Sequence, residues 1–330
     1  MKKNRVTRIS RELQNSIHAT SRRLGQRPFP DFISLRQQVS VSFELFPPAS
    51  IEMERRLWSC IAQLAPLSPH FVSITYGAGG STRQRTHTTV EKILTETPLT
   101  PAAHLTCVGT TRDELDEVVQ RYWDSGVRHL VALRGDSADP GRPFASHPQG
   151  YQTAVQLVAG IRKIADFDIS VGAYPEVHPD AKSQEADLDN LKRKLDAGAN
   201  RAITQYFFDV DDFFRFLDRA RDVGISAPIV PGILPVTNFE KVVEFSKKCG
   251  TTIPVWMQDL FAGLDDAPEI RQMIAATVAI EQCRLLLEKG ISEFHFYTLN
   301  RAELTRAICH ALGLRDYRED SLCELKVPGQ

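Results

Sequence analysis

The sequence predicts an α/β chain folded as a (β/α)8 TIM barrel, preceded by a short helical extension. Three observations lead there. Eight β-rich runs stand in the chain, each bounded by turn residues. Amphipathic stretches with helix-start and helix-stop residues lie between them, and such alternation makes a parallel sheet. Eight repeats favour closure into a barrel over an open sheet. The open alternative lacks its usual mark. In Gly77-Ala-Gly79-Gly80-Ser-Thr82 the third glycine position of a dinucleotide fingerprint is Thr82, and no P-loop is present.

Residues 1–38 come first and differ in character. They carry nine basic side chains against two acidic ones, a local charge of +7. No apolar core of a secretory signal is present; frequent Arg and Ser with few acids would also suit a transit peptide, and the expected reading is a short surface helix at about residues 8–24 with a mobile arm. The barrel follows over 39–313, and 314–330 form a tail. The predicted strands are Val39–Phe46, Phe71–Gly77, Ala102–Gly109, Val127–Asp136, Asp168–Pro175, Arg201–Phe208, Pro228–Pro235 and Ser292–Asn300. Most are rich in Val, Ile, Phe and Leu, as buried strands are.

Helix signals fill the gaps. Thr111-Arg-Asp-Glu114 is a capping box ahead of Leu115, Val118 and Val119. Ser183–Leu195 places Ala186, Leu188, Leu191 and Leu195 on one face and stops at Gly198. Asp211–Val223 repeats the plan and stops at Gly224. Thr237 is the expected cap of Phe239–Lys248. The long last gap has room for that helix, a second at about 267–289, and a loop.

Composition narrows the function. Of 330 residues, 42% are apolar and 25% charged, a globular balance. Lys and Arg number 40 against 41 Asp and Glu, which gives no support to a nucleic-acid or membrane-surface footprint. Six scattered cysteines without a CxxC exclude a zinc ribbon and fit a reduced cytoplasmic protein. No apolar run approaches the ~18–20 residues of a membrane span.

Barrel chemistry sits at the C-terminal ends of strands. Those ends carry Glu44, Thr75, Tyr76, His104, Thr106, Arg134, Asp136, Tyr174, Glu176, His178, Gln205, His295, Tyr297 and Asn300. Polar groups in apolar strands carry a desolvation cost, so a ring of them points to a site rather than to structure. His178 and Glu176 are too few for a metal centre, and none is expected.

The motifs Ser42-Phe-Glu-Leu-Phe-Pro-Pro48, Ser73-Ile-Thr-Tyr-Gly77, His104-Leu-Thr106, Ala132-Leu-Arg-Gly-Asp136, Ala173-Tyr-Pro-Glu-Val-His-Pro179, Ala202-Ile-Thr-Gln205, Pro231-Gly-Ile-Leu-Pro235 and His295-Phe-Tyr-Thr-Leu-Asn300 together resemble the bacterial methylenetetrahydrofolate reductase family. The resemblance runs from about Val39 to Leu312. It implies a non-covalent FAD barrel that reduces 5,10-methylenetetrahydrofolate to 5-methyltetrahydrofolate for methionine synthesis. The electrons come from NADH or NADPH, ping-pong through FAD, and the enzyme is a homo-oligomer, dimer or tetramer.

The resemblance also implies roles. Glu44 is the general acid, since Phe43, Leu45, Phe46, Pro47 and Pro48 give apolar surroundings that raise a carboxyl pKa. A structural partner of Arg301 is its competing reading. Asp136 contacts the pterin, steadies the cationic iminium and disfavours anionic reduced flavin. Flavin contacts carry over onto Thr75 (the nicotinamide side), Tyr76, Ala78, His104, Arg134, Gly135, Asp136, Tyr174, His178, Asp187, Asn190, Arg193 and Lys194, with Tyr151 as a further one. Gln205 contacts folate and nicotinamide, and Arg301 meets the folate glutamate tail. Phe245 stacks on ligand rings, or is a core residue at helical spacing.

Two departures stand out: Lys241 where a family glutamine is expected, and the basic extension. Two rival classes remain. One is another FAD barrel oxidoreductase, such as a proline dehydrogenase-type enzyme. The other is a non-catalytic folate- or flavin-binding relative, which predicts loss of Glu44 or Asp136; both are present.

Overall fold

Among the residues described by this computed structural model (39–76, 83–136, 144–264 and 266–315), nine strands alternate with ten α-helices. The N-terminal extension, Ala78 and the tail after residue 315 lie outside the described residues. The strands are β1 (Ser40–Leu45), β2 (Val72–Ile74), β3 (Pro101–Thr106), β4 (His129–Leu133), β5 (Asp168–Ala173), β6 (Arg201–Thr204), β7 (Ile229–Val230), β8 (Gly232–Ile233) and β9 (Glu293–Tyr297). The helices are α1 (Ile51–Leu64), α2 (Arg83–Glu96), α3 (Arg112–Asp124), α4 (Ala154–Ile164), α5 (Gln184–Asp196), α6 (Val210–Asp222), α7 (Phe239–Cys249), α8 (Val255–Phe261), α9 (Pro268–Glu288) and α10 (Ala302–Ala311).

Every strand pair is parallel, in the order β7-β6-β5-β4-β3-β2-β1-β9-β8. The ninth strand arises because the expected seventh run is cut at Pro231. Its first half pairs with β6 and its second half with β9, so the two ends of the order belong to one stretch of chain and the barrel closes there. Pro231 has no N–H to give a ladder, though its carbonyl accepts from His295 N–H at 3.0 Å. Gly232 makes the close approach possible. An added Cβ would lie 2.1 Å from the Thr204 carbonyl oxygen and 2.6 Å from the Tyr297 ring. Its N–H donates to Thr204 Oγ1 at 2.9 Å.

Strand alternation separates two environments. Val41, Phe43, Val72, Ile74, Ala103, Leu105, Leu130, Ala132, Phe294 and Phe296 join the main core beneath the helices. Phe71, Ala102, Val131 and Ile203 form a small cluster of their own inside the barrel. The intervening positions Ser42, Glu44, Ser73, His104 and His295 share that inner face. The inner face is therefore partly polar, which is where chemistry has room.

Helix signals are met with two corrections. Thr111 and Glu114 form the capping box, and Ser183 caps α5 by accepting from Ala186 N–H. The cap of α7 is Asn238, not Thr237. Phe239 is already helical, and the Asn238 carboxamide accepts from Lys241 N–H at 2.9 Å. The last gap holds three helices rather than two, because Pro254 introduces the extra short helix α8. α10 packs against both α9 and α1, which brings the last described helix against the first barrel helix.

Candidate active site

Glu44 sits at the end of β1, with Ser73 of β2 and Tyr297 of β9 as its register partners. Its side chain is only 15% exposed, and burial pushes the carboxyl up to about 8. The ionisable neighbour is His104, whose Nε2 lies 3.7 Å from Glu44 Oε2. Burial pushes that imidazole down to about 3. The contact is therefore not an ion pair near neutral pH: a protonated carboxyl faces a neutral ring. Glu44 is not the buried partner of Arg301. Arg301 is exposed and stands at the start of α10, where its N–H donates to the Thr298 carbonyl.

At the end of β4, Gly135 turns the chain with φ of +85°. A Cβ there would lie 2.5 Å from Val108 Cγ2 and 3.0 Å from Thr106 Cβ. This turn presents Asp136 to solvent, within electrostatic reach of Tyr174, His178 and Cys249. Arg134 lies over the Phe144 ring and donates to Asp180 at 2.6 Å. After β5, the Tyr174 and His178 rings meet edge-on with centroids 4.5 Å apart.

The α5 residues are placed unequally. Asp187 accepts from His178 N–H at 2.9 Å. Lys194 is buried, donates to the Gly172 carbonyl, and is pushed down by burial to about 8. Asn190 and Arg193 are exposed, Arg193 facing Asp189 at 4.0 Å. Tyr76 accepts from Arg83 Nε at 2.6 Å. Tyr151 is directed elsewhere: its hydroxyl lies between α3 and α4 and donates to Asp116 at 2.7 Å.

Inside β3, His104 Nε2 and Thr106 Oγ1 are buried and have no hydrogen-bonding partner among the described residues. Buried polar groups are normally satisfied. Orphans beside Glu44 and the Gly135 turn suit a polar ligand that would complete them. On the far side, Gln205 uses its Oε1 to accept from Tyr206 N–H, leaving its NH2 group for a ligand. Phe245 is 53% exposed and stacks against Tyr206, with centroids 6.1 Å apart, so it is not a core residue. Thr75 lies at the end of β2, its N–H donating to the Leu45 carbonyl.

Sequence reading did not single out Cys249 or Tyr206. Cys249 ends α7 and interacts with the Tyr206 hydroxyl, Asp136, Tyr174 and Tyr297. No periodicity in the chain carries that convergence, because five separate elements supply it. Among the described residues no group of three His, Cys, Asp or Glu is placed to hold a metal.

Comparison with known proteins places this geometry in context. The family model described as methylenetetrahydrofolate reductase matches residues 31–313. The chain is 52% identical over 281 residues to the 5,10-methylenetetrahydrofolate reductase of Pectobacterium carotovorum, covering 85% of this chain and 92% of that protein. It is 52% identical over 278 residues to the Escherichia coli enzyme of the same name, covering 84% and 92%. A solved structure from Clostridium thermocellum, which binds two copies of 5-methyl-5,6,7,8-tetrahydrofolic acid, superposes with a TM-score of 0.56. It is 17% identical and covers 85% of this chain and 96% of that one, a likeness of fold alone.

Proposed function

The chain belongs to the methylenetetrahydrofolate reductase family, and from that premise we propose that it reduces 5,10-methylenetetrahydrofolate to 5-methyltetrahydrofolate, with FAD as cofactor and NADH or NADPH as electron source. The observation that carries this reading is the buried Glu44 at the end of β1 with His104 Nε2 3.7 Å away, where burial raises the carboxyl and lowers the imidazole. The substrate methylene bridges two nitrogens, and hydride cannot attack it directly. A proton on the departing nitrogen opens the ring to an electrophilic iminium. Glu44 still holds that proton near neutral pH, which suits it to deliver it.

The described residues fit a flavin. Among the described residues His104 Nε2 and Thr106 Oγ1 lack protein partners, and the Gly135 turn packs against Thr106 and carries Asp136 next in the chain. Thr75, Tyr76, His104, Arg134, Gly135, Asp136, Tyr174, His178, Asp187, Asn190, Arg193 and Lys194 are the residues we assign to hold it; Ala78 and Tyr151 carry over from the resemblance alone. When bound, FAD supplies the hydride. Asp136 offers its charge to the cationic iminium. Gln205 and Phe245 receive the folate rings, and Arg301, exposed and unpaired with Glu44, is left for the glutamate tail. The reduction divides into two half-reactions, one driven by nicotinamide and one by folate. Among the described residues no helix is long and apolar enough to cross a membrane. We place the protein in the cytoplasm as a homo-oligomer, dimer or tetramer, on the strength of the family resemblance, and in one-carbon metabolism that feeds methionine synthesis.

An anaerobic visible titration tests this. Reduced nicotinamide added first should bleach a yellow protein, and methylenetetrahydrofolate added next should restore the colour. A protein that bleaches and is not reoxidised reopens the substrate, a proline dehydrogenase-type oxidase included. A colourless protein that cannot be loaded with FAD overturns the reading.

A further inference from the structure

The end of β1 is gripped by the turn that follows β9. Thr298 Oγ1 donates to the Glu44 carbonyl oxygen at 2.6 Å, and Thr298 N–H reaches the same oxygen at 3.4 Å. Two residues on, the Asn300 carboxamide meets both sides of Phe46. Phe46 N–H donates to Asn300 Oδ1 at 2.8 Å, and Asn300 Nδ2 donates to the Phe46 carbonyl at 3.0 Å. Asn300 N–H closes the turn on Thr298 Oγ1 at 3.2 Å. Thr298 and Asn300 are both buried.

The turn is bent to do this. Leu299 and Asn300 have φ of +52° and +53°, a region that L-residues other than Asn avoid. Such strain persists where surroundings over-determine the backbone, and it gathers at functional sites. The sequence beyond Phe46 explains why outside help is needed. Pro47 and Pro48 have no N–H, so Phe46, just past the end of β1, carries the last backbone donor before the proline pair. Asn300 takes it. The bonds fix the chain on the C-terminal side of the acid, at its own carbonyl and at Phe46 two residues later. A reacting group works only from a set position, and misplacement by about 1 Å is felt as up to ~100-fold in rate.

We propose that Thr298 and Asn300 are positioning residues for the Glu44 carboxyl, clamping the main chain at its own carbonyl and at the residue two places further on. The proposal rests on the reading of Glu44 as the acid of folate reduction. Three variants test it, each loaded with FAD: Thr298→Val, which keeps the shape and loses the hydroxyl, Thr298→Ser, which keeps the hydroxyl, and Asn300→Ala. The two half-reactions are followed separately by stopped flow across pH.

Thr298→Val and Asn300→Ala should slow folate reduction about 10- to 100-fold and move its alkaline fall to lower pH, as the freed carboxyl gains water. Reduction of flavin by nicotinamide should be unchanged, and Thr298→Ser should restore folate reduction. An infrared titration of the Glu44 carboxyl, assigned against Glu44→Gln, reads the same shift without turnover. If Asn300→Ala does not fold, Thr298→Val decides. Variants that match wild type in folate rate and pH profile overturn the clamp, as do variants in which both half-reactions fall together with the melting temperature. A wild-type protein whose reduced flavin ignores methylenetetrahydrofolate overturns the functional reading instead, and the clamp with it.

Discussion

Glu44 Oε2 lies 3.7 Å from His104 Nε2, and burial keeps both groups uncharged near neutral pH. Opposite shifts in neighbouring groups are the usual sign of an acid set apart from its surroundings. Had the pair been a carboxylate and an imidazolium, Glu44 would have had no proton to give. Because His104 is neutral there despite its closeness, burial rather than a neighbouring charge sets the acid's strength.

Replacing Glu44 with Gln keeps the shape and removes the proton. Folate reduction should fall by a factor on the order of 100 to 10,000, the usual contribution of a positioned acid. Flavin reduction by nicotinamide does not use this proton and should stay near wild type. Separate stopped-flow measurement of each half-reaction checks this, and normal folate reduction by Glu44→Gln would remove it as the acid.

The pH dependence follows from the direction of the shift. Glu44 is raised from 4.5 to about 8, so the proton is present below that value and lost above it. Folate reduction should hold through neutrality and decline as pH rises through about 8. A carboxyl with an ordinary pKa would show the decline on the acid side of neutrality, and such a profile would sink the burial account.

The barrel histidines give the reverse dependence for stability. Burial lowers His104 and His295 from 6.5 to about 3 and takes His129 well below its usual value. His295 bonds Ser42 at 2.7 Å, and His129 bonds Ser170 at 2.8 Å. Unfolded, these rings take protons below about 6.5, so the stability present above that value is lost as pH falls toward 3. Glu44 works the other way, its contribution being lost as pH rises through about 8. The melting temperature should therefore peak between these limits and drop on the acid side. A melting temperature that stays flat from neutrality down to about pH 4 would contradict the histidine assignment.

Much of this was legible in the sequence, and the gaps have physical causes. The strand runs were readable because they are apolar and bounded by turn residues. The break at Pro231 was not, since a proline inside an apolar run does not say that the halves will choose different neighbours. Glu44 was readable from the apolar residues around it. Its closeness to His104 was not, since β1 and β3 are not adjacent and meet only across the barrel interior. The Asn300 contact with Phe46 spans 254 residues, and no local pattern encodes it. Tyr151 shows the converse: the resemblance carries it over as a cofactor contact, and only the fold shows its hydroxyl turned to Asp116.

Gly135→Ala should disturb the site without touching a charged group. The new methyl meets Val108 and Thr106 in a backbone region that costs a non-glycine residue about 1–3 kcal/mol. The turn should shift and carry Asp136 with it. Lower FAD content and a lower melting temperature are expected together. Full FAD occupancy at wild-type stability would show that the turn tolerates a side chain.

Asp136→Asn tests the electrostatic role assigned to the residue after that turn. Asp136 is exposed and held by the backbone at the end of β4, so the substitution preserves shape and removes one negative charge. A negative charge beside the flavin disfavours the anionic reduced form. Its removal should raise the flavin potential by on the order of 20–40 mV, about 1–2 kcal/mol for a two-electron couple. A higher potential makes the reduced flavin a weaker donor, and the iminium loses its counter-charge at the same time. Folate reduction should therefore slow, while reduction by nicotinamide is held or quickened. Potentiometric titration of both proteins separates the two effects: an unchanged potential with slowed folate reduction leaves Asp136 acting on the folate alone, and an unchanged potential with unchanged turnover removes it from the site.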